Sequence, residues 1–316
     1  MMGRGPPHDR IAAAIVEGRY RSEPVSSDVF RVPGMISREE REVLSFLAAR
    51  AWTAHTAIVD AGCGLGASTR ALMDGLTRNR DLGGNPRPII HAYDLFRADP
   101  YMLQTVLANS RMQPGDCFES RFLENLRVDP SLVAVHAGDV RANEWRAGPI
   151  SLLFLDIIWS WDINSFVMRN FYRNLSSEGA FVVHQDYVYA WYPWIPITME
   201  YLADHFELVD YVPLATVVFR YVKPFDENVL GIDLLRELSP DSLLSLMARA
   251  MERFSGESRG ILECSRAQLL RYFGRTGEAR ASLLAVGEAY AEFEAPVRFA
   301  REILAHIDSG AEPRVV

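Results

Sequence analysis

The amino-acid sequence predicts an α/β fold: a doubly wound, mostly parallel seven-stranded sheet with an antiparallel final strand, followed by a C-terminal helical extension. Three observations predict it. From residue 56 to residue 222, short apolar runs bounded by turn residues alternate with segments of helical periodicity. Only three residues separate the last two apolar runs. Beyond residue 224 the strand patterns stop, and leucine, alanine, arginine and glutamate dominate.

The first element is a lead segment, residues 1–55, which opens with glycines and prolines and continues into SREEREVLSFLAARAW. Ser37 precedes two glutamates in this stretch, a pattern typical of a helix N-terminus. The apolar residues of VLSFL then give the helix one apolar side. We expect this segment to pack on the main domain as a helical lid.

The second region, residues 56–224, is predicted to form the main domain. Five apolar runs predict parallel strands: TAIVDAG, PIIHAYD, SLVAVHAGD, ISLLFLDII and GAFVVHQD. Helical stretches such as STRALMDGL and DINSFVMRNFYRNL lie between them, which is the pattern of a parallel sheet covered on both faces. The final runs, FELVDYV and TVVFRYV, are joined only by PLA. That connection is too short for a crossover helix, so these two strands should be antiparallel.

The third region, residues 225–316, carries helical runs such as DSLLSLMARAMERF and EARASLLAVGEAYAEF. One stretch, LLRYFGRTGEARASLLAV, is similar to a tetratricopeptide-type helix pair, but a single unit does not make a repeat array. We expect a helical bundle that buries its apolar stripe against the sheet domain or against a second subunit. The second alternative predicts a homo-oligomer.

Composition narrows the class of partner. Hydrophobic residues make up 49% of the chain and charged residues 23%, as in ordinary soluble globular proteins. The net charge of −8, with 33 dispersed Lys and Arg, argues against nucleic acid or an anionic membrane and favours an uncharged or cationic small molecule. Three widely spaced cysteines favour a reducing cytoplasm. No apolar run reaches the about eighteen residues of a membrane span.

The stretch AIVDAGCGLGASTRAL leads an apolar strand into Asp60, then into glycines at every second position before a helix that should start at Ala67 or Ser68. Glycines there allow positive φ and a close approach of a ligand to the backbone. The segment lacks GK[ST], which argues against a P-loop. Ala67 occupies the last position of a GxGxxG fingerprint, where alanine is tolerated, so the spacing alone does not exclude a dinucleotide-binding site. Asp60 favours a cationic ammonium or sulfonium, because its charge would repel a pyrophosphate.

At this point the chain resembles the class I S-adenosylmethionine-dependent methyltransferases, a Rossmann-like family whose first motif is an acid followed by GxGxG. The resemblance covers residues 56–222. It implies that Asp94, after the second strand, accepts the ribose hydroxyls, and that Gly138 and Asp139, after the third, contact adenine. The cofactor-binding residues implied are Asp60, Gly62, Cys63, Gly64, Gly66, Ser68, Asp94, Leu95, Gly138, Asp139 and Asp156.

A narrower resemblance is to the macrocin O-methyltransferase group of metal-dependent sugar and natural-product O-methyltransferases. Its members carry an acid after strand four and GGxxxxDDY at strand five. The letters GA, QD and Y of EGAFVVHQDYV fill the glycine pair, the two ligands and the tyrosine. The resemblance therefore implies a Mg²⁺ ion held by Asp156, Gln185 and Asp186, and oxygen ligands suit that ion.

Two departures separate the chain from this pattern. Gln185 replaces a carboxylate, which removes one charge from the metal site. The general base of related enzymes would fall on Ile158 or Trp159, and neither accepts a proton. His184 is one alternative base, since its reference pKa lies near 6.5, but a histidine on a buried strand is as often a packed core residue. Asp162 is another, although its position favours a helix N-cap.

Two further histidines, His91 and His136, lie inside predicted strands and are expected to be packed. Aromatic residues follow strands four and five, at the edge where open α/β sheets bind ligands. They could form a flat acceptor pocket, a cage for a cationic amine, or a hydrophobic lid or dimer seam. The candidate substrate-binding residues are Trp159, Trp161, Tyr187, Tyr189, Trp191, Tyr192 and Trp194.

Together with the composition, the two resemblances imply a cytoplasmic methyltransferase that uses S-adenosylmethionine, with possible Mg²⁺ assistance, to methylate a hydroxyl of a small molecule such as a sugar or a specialised metabolite. One alternative is a metal-independent N- or O-methyltransferase that uses His184 and the aromatic pocket. Another is a catalytically silent adenosyl-binding protein whose helical tail is the working interface. Asp156, Asp162 and His184 are the candidate catalytic residues.

Overall fold

A computed structural model describes residues 7–83, 88–126, 130–213, 215–226 and 228–313 of the chain. These residues divide into two compact units, and each unit gathers segments that are separate in the sequence. The first unit holds the chain as far as Ile157, together with Asn170–Gln185 and Glu207–Pro224. The second holds Ile158–Arg169, Asp186–Phe206 and the chain from Phe225 onward. The units cut across the three regions expected from the sequence.

Seven strands within the described residues form one sheet, in the order β3-β2-β1-β4-β5-β7-β6. The strands are β1 Ala57–Ala61, β2 Ile90–Asp94, β3 Val133–Ala137, β4 Ile150–Leu155, β5 Ala180–His184, β6 Phe206–Val212 and β7 Thr216–Tyr221. Strands β1 to β5 pair in parallel, and the sheet ends in the antiparallel series β5-β7-β6. The predicted doubly wound, mostly parallel sheet with an antiparallel end is confirmed.

The order of the strands fixes where a ligand can enter. The chain runs outward from β1 to β3 and then resumes at β4 on the other side of β1. The connections leave β1 and β4 in opposite directions, so a crevice opens at their carboxyl ends. The sheet therefore places the ends of β1 and β4 at the centre of the ligand-binding edge.

Helices flank the sheet and dominate the chain after it, which confirms the predicted C-terminal helical extension. The α-helices are α1 Pro7–Val16, α2 Ser27–Arg31, α3 Arg38–Ala51, α4 Ala67–Leu76, α5 Pro100–Gln104, α6 Glu119–Leu126, α7 Trp161–Asn170, α8 Trp194–Tyr201, α9 Leu234–Glu237, α10 Pro240–Glu252, α11 Gly256–Tyr272, α12 Thr276–Ala289 and α13 Glu294–Asp308. No helix in the described ranges has the length and apolar content needed to cross a membrane.

Helix α3 begins where the sequence predicts. The Ser37 hydroxyl accepts a hydrogen bond from the Glu40 main-chain N–H at 3.1 Å, and the Glu40 carboxylate accepts one from the Ser37 N–H. This reciprocal capping satisfies two backbone donors that the helix itself leaves unpaired. Val43, Leu44 and Leu47 are fully buried. The lead segment thus supplies part of the core of the first unit.

The C-terminal helices share their core with α8, which precedes them by several elements. Helix α8 packs against α10. The buried Glu200 carboxylate on α8 accepts hydrogen bonds from Arg249 Nε at 3.2 Å and from Arg253 Nε at 2.9 Å. Met247 on α10 and Leu262 on α11 are fully buried. Part of the apolar stripe of these helices is therefore covered within the second unit, and the predicted homo-oligomer stays a prediction.

Candidate functional site

The turn after β1 requires glycine at its first position. Gly62 has φ of 97°, and a Cβ there would lie 2.3 Å from the main-chain oxygen of Asp156. The N–H groups of Gly62 and Cys63 donate to the Tyr93 carbonyl at 2.8 and 3.2 Å. The turn therefore contacts the ends of both β4 and β2. Because the Asp156 carbonyl lies so close, a side chain at position 62 has no room.

Gly64 serves a different purpose in the same turn. Its φ is 51°, and a Cβ built on it would meet no atom within 4 Å. Its N–H donates to a carboxylate oxygen of Asp94 at 2.8 Å. The backbone at Gly64 is thus fixed by the end of β2 while one side of it stays open, which is the arrangement that lets a ligand approach the main chain.

Asp60, the acid before the turn, is buried beneath it with no exposed surface. Its carboxylate accepts hydrogen bonds from the Ser68 hydroxyl at 2.9 Å and the Thr69 hydroxyl at 2.5 Å. Burial raises the pKa of Asp60 to about 7, although the two hydroxyls oppose the shift. Both hydroxyls belong to the first turn of α4, and the predicted attraction of a cationic ligand by Asp60 stays a prediction.

Asp94 connects the ends of two strands. Its half-buried carboxylate accepts hydrogen bonds from the Gly64 N–H at 2.8 Å and from the Phe96 N–H at 2.7 Å. Burial raises the pKa of Asp94, and these two hydrogen bonds oppose the rise. Each carboxylate oxygen can accept a further hydrogen bond. Leu95, next in the chain, is 49% exposed and presents an apolar surface beside the carboxylate.

The end of β3 joins the same edge through its backbone. Gly138 has φ of 110° and donates its N–H to the Asp94 carbonyl at 2.9 Å. The Asp139 carboxylate forms an ion pair with Arg141 at 2.7 Å, and the hydrogen bond from that guanidinium lowers the pKa of Asp139. The predicted contact of Asp139 with adenine stays a prediction, and Arg141 would compete for its carboxylate.

Asp156 follows β4 directly beside the glycine turn. Its main-chain N–H donates to the Ala61 carbonyl at 2.7 Å, and its carbonyl oxygen is the atom that excludes a side chain at Gly62. The residue is half-buried. The structure thus brings Asp156 to the carboxyl ends of β1 and β4, where the sheet order opens its crevice.

The metal prediction meets an obstacle at Gln185. This half-buried residue follows β5, and its main-chain N–H donates to the Leu155 carbonyl at 3.0 Å. Its side-chain amide forms a hydrogen bond with the Thr216 hydroxyl, which also bonds to the Glu40 carboxylate. The amide predicted to hold Mg²⁺ therefore already has one protein partner, and the role of Gln185 as a metal ligand stays a prediction.

The described residues contain no other candidate metal centre. Among the described residues, no group of three or more His, Cys, Asp or Glu side chains could hold a metal ion. In the second unit Asp186 adopts φ of 60°, a left-handed conformation that aspartate tolerates better than most residues. Its role as a Mg²⁺ ligand stays a prediction.

His184 is a packed core residue on β5, so the hypothesis that it is the general base is wrong. Its side chain is 1% exposed, and its Nε2 lies 2.5 Å from the Tyr172 hydroxyl. Burial lowers the pKa of His184 to about 3. A base must reach the proton it removes. His184 instead stays neutral near pH 7 and is closed off from any ligand.

Asp162 does not cap α7, contrary to the expectation from the sequence. The helix begins at Trp161, and the Ser160 hydroxyl accepts a hydrogen bond from the Ile163 N–H at 3.3 Å. Asp162 is exposed in the first turn, where its negative charge interacts favourably with the helix dipole. Serine takes the capping role because its short side chain reaches the third backbone N–H.

The paired histidines of β2 and β3 are packed, as the sequence predicts. His91 Nδ1 lies 3.0 Å from His136 Nε2, and the His136 ring stacks on Tyr93 with 4.3 Å between centroids. Burial lowers the pKa of His91 to about 4, and His136 adds to the shift. Neither ring is placed to act as a base at neutral pH.

The aromatic residues after β4 and β5 divide into two groups within the second unit. Trp161, Tyr187 and Trp194 are at least 95% buried, and Trp194 Nε1 donates to the Ile158 carbonyl at 2.7 Å. By contrast, Trp159 is 49% exposed. The partly buried members are Tyr189, Trp191 and Tyr192. Three of the seven rings are therefore core residues of the second unit, and a role of the other four in binding an acceptor stays a prediction.

A cavity of about 440 Å³ lies in the first unit beside the C-terminus of α3. Arg50, Trp52, Arg78 and Asn79 line part of it. Arg50 forms an ion pair with Glu23, so its charge is already matched. No predicted site residue lines this cavity. It is separate from the edge formed by the strand ends.

The chain resembles several solved structures loosely, but it matches no known protein family. No family model and no curated protein matches the chain. Solved structures that share some of its fold include a provisionally assigned O-methyltransferase from Klebsiella pneumoniae, at 14% identity over 66% of this chain and 96% of that one, with a TM-score of 0.43. A TDP-rhamnose 3′-O-methyltransferase of calicheamicin biosynthesis covers 70% of this chain and 97% of its own, at 16% identity and a TM-score of 0.40. An O-methyltransferase from Bacillus cereus, solved with S-adenosylhomocysteine, covers 67% of this chain and 90% of its own, at 12% identity and a TM-score of 0.34. Overlaps this loose assign no function.

Proposed function

We propose that the protein is an S-adenosylmethionine-dependent methyltransferase that acts on a hydroxyl of a small molecule, such as a sugar or a specialised metabolite. The observation that carries the proposal is the turn after β1, in which Gly64 faces open space while Asp94 holds its N–H. A bare backbone beside an acid at a strand end suits an adenosyl group that carries a cationic amino-acid tail.

The residues at this edge fit such a donor. The open backbone at Gly64 would lie along the amino-acid portion. The Asp94 carboxylate has acceptor capacity left after its two backbone hydrogen bonds, which suits a pair of ribose hydroxyls. The exposed Leu95 side chain offers an apolar surface for the adenine ring. Asp60, buried beneath the turn, would act on the donor only through its charge.

When bound, the donor would supply an electrophilic methyl group on a sulfonium. The protein would then align an acceptor oxygen in line with that bond and hold the proton that the oxygen loses. Asp156 is our candidate for this task, because it is half-buried at the end of β4 and touches the glycine turn. His184 has no part in the proposal, since it is buried and its pKa is lowered to about 3.

Replacing Asp94 with alanine should weaken the binding of S-adenosylhomocysteine. The change removes the ribose acceptors and the anchor of Gly64, so we expect a loss of about 1 to 3 kcal/mol, or roughly 5- to 150-fold in Kd. Isothermal titration calorimetry measures it, with NAD as a ligand that should not compete. The control is Asp81→Ala, which removes an exposed acid outside the site. Equal affinity in the two variants would remove Asp94 from the donor site.

Mg²⁺ assistance is a separate part of the proposal, and it is tested by itself because the Gln185 amide is bound to Thr216. Turnover should fall in EDTA and return with added Mg²⁺, because oxygen ligands at strand ends suit that ion. The assay is release of S-adenosylhomocysteine from S-adenosylmethionine with a panel of glycosides and phenols. Asp156→Asn and Asp186→Asn should each lower turnover at least about tenfold and leave donor affinity nearly unchanged. Full activity in EDTA would eliminate the metal, and no turnover with any acceptor would favour a silent binding protein.

A further inference from the structure

A chain of hydrogen bonds runs from the carboxyl end of β5 to the start of α3. The Gln185 amide bonds to the Thr216 hydroxyl, which bonds to the Glu40 carboxylate, which in turn accepts the Ser37 N–H. Thr216 is fully buried and Glu40 is 1% exposed, so bulk solvent does not reach either side chain. All four residues of this hydrogen-bond series belong to the first unit.

The single hydrogen of the Thr216 hydroxyl decides which group donates in each of these hydrogen bonds. The Thr216 hydroxyl has one hydrogen, yet it lies within bonding distance of both Glu40 and the Gln185 amide. A carboxylate only accepts, so the hydroxyl must donate to Glu40. The same hydroxyl must then accept from Gln185, and only the amide NH₂ can donate. In the structure the Gln185 oxygen Oε1 faces the Thr216 hydroxyl. The oxygen and nitrogen of an amide are assigned from their partners, and the hydrogen count requires the reverse orientation, with Nε2 against Thr216.

We propose that the buried Glu40, acting through Thr216, requires a neutral amide at position 185 and makes Gln185 a positioning residue for the acceptor. With Nε2 turned toward Thr216, the amide oxygen is left as a hydrogen-bond acceptor at the end of β5. It would take a hydroxyl or N–H of the acceptor molecule, and in this respect the inference rests on the proposed function. It also gives a physical reason for glutamine where the resembling group has a carboxylate.

A carboxylate at position 185 would break the arrangement. It has no hydrogen to give Thr216, so two carboxylates would compete for one hydroxyl hydrogen in a buried place. Exchanging the amide and the carboxylate gives each hydrogen bond one donor and one acceptor again. An amide at position 40 would donate to Thr216, and Thr216 would donate to a carboxylate at position 185. Glutamine is also accepted at the third position of a capped helix, so α3 keeps its cap in the exchanged protein.

The test is a double-mutant cycle on the full chain, read by thermal unfolding. Gln185→Glu alone should lower Tm by about 5 to 10 °C. The same change in a Glu40→Gln background should cost less than half of that. Gln104→Glu, at an exposed glutamine, is the matched control and should leave Tm unchanged. Equal losses in the two backgrounds would overturn the proposal. If Gln185→Glu does not fold, the exchanged double variant must, and failure of both overturns it as well.

Two further measurements separate a positioning role from a structural one. Gln185→Met keeps the volume and removes both hydrogen-bonding groups, so it should raise the acceptor KM several-fold while the Kd for S-adenosylhomocysteine stays within about twofold. Mg²⁺ should shift the Tm of the wild type and of Gln185→Ala equally. A shift lost only in Gln185→Ala would make Gln185 a metal ligand and overturn the proposal. The stability cycle needs no donor or acceptor, so it stands even if the chain binds no S-adenosylhomocysteine.

Discussion

Gly62→Ala should abolish detectable binding of S-adenosylhomocysteine and lower the free energy of unfolding by about 2 to 5 kcal/mol. A Cβ at this position would lie 2.3 Å from the Asp156 carbonyl oxygen, 2.6 Å from its carbon and 2.9 Å from Ile157. The first two are backbone atoms, so the end of β4 or the turn itself would have to move. The left-handed φ of 97° adds strain for any residue with a side chain.

Urea unfolding and calorimetry with S-adenosylhomocysteine measure the two effects of Gly62→Ala. Gly64→Ala is the informative partner, because its Cβ would enter open space. That variant should stay folded and still lose affinity, since the methyl group occupies the volume assigned to the donor. Gly277→Ala in α12, where a Cβ meets no atom within 4 Å, controls for the substitution itself. Normal stability and affinity in Gly62→Ala would contradict the account of the turn.

The contribution of His184 to the free energy of unfolding should fall steeply as pH drops from about 6.5 toward 3. Asp60, whose pKa burial raises to about 7, contributes in the opposite sense over part of this range, so the effect of His184 is measured as the difference between wild type and variant. The fold lowers the pKa of His184 from 6.5 to about 3. Above pH 6.5 the histidine is neutral in both states, and its stabilising contribution is fully present. Below 6.5 the unfolded chain binds a proton that the folded chain refuses, so stability is lost by up to about 1.4 kcal/mol per pH unit. The total is of order 4 kcal/mol.

Urea unfolding at pH 8, 6.5, 5 and 4 tests this dependence. His184→Gln removes the titrating group and leaves an amide to bond with the Tyr172 hydroxyl, so its curve against pH should be flatter even if its stability at pH 8 is lower. His55→Gln removes an exposed histidine and serves as the matched control. Parallel curves for His184→Gln and the wild type would show that the burial of this ring does not govern the acid sensitivity.

The features that the sequence predicts correctly are set by neighbours in the chain. The capping box of α3 depends on Ser37 and Glu40, three residues apart. The antiparallel end of the sheet follows from a connection of three residues, which admits no crossover. The positions of Asp94 and Asp156 follow from where apolar runs end. Each of these inferences needs only local spacing and a rule about strand direction.

The features that the sequence could not reveal depend on contacts between distant residues. Glu40 and Thr216 lie 176 positions apart, and they meet only because β7 inserts beside β5 in the sheet. The alternation of a strand does not say whether His184 meets solvent or Tyr172. The sequence does not show whether Asp60 faces a ligand or the protein, whereas the structure shows two hydroxyls of the first turn of α4 donating to its carboxylate. Functional roles are hardest to predict from the sequence for polar groups whose hydrogen-bond partner lies far away in the chain.

The discontinuous second unit has a consequence for how the protein is made. Helix α8 and its buried Glu200 leave the ribosome before their partners on α10, and Arg249 is 49 residues further along the chain. At ordinary rates of synthesis that gap lasts roughly 2 to 10 s. Before the middle of this interval β7, the last of the described strands, has been made, yet the Glu200 carboxylate and the side of α8 that packs on α10 still lack these partners. The last part of the chain to emerge therefore completes an element begun long before it, and a chain that ends early presents a chaperone with exposed apolar surface.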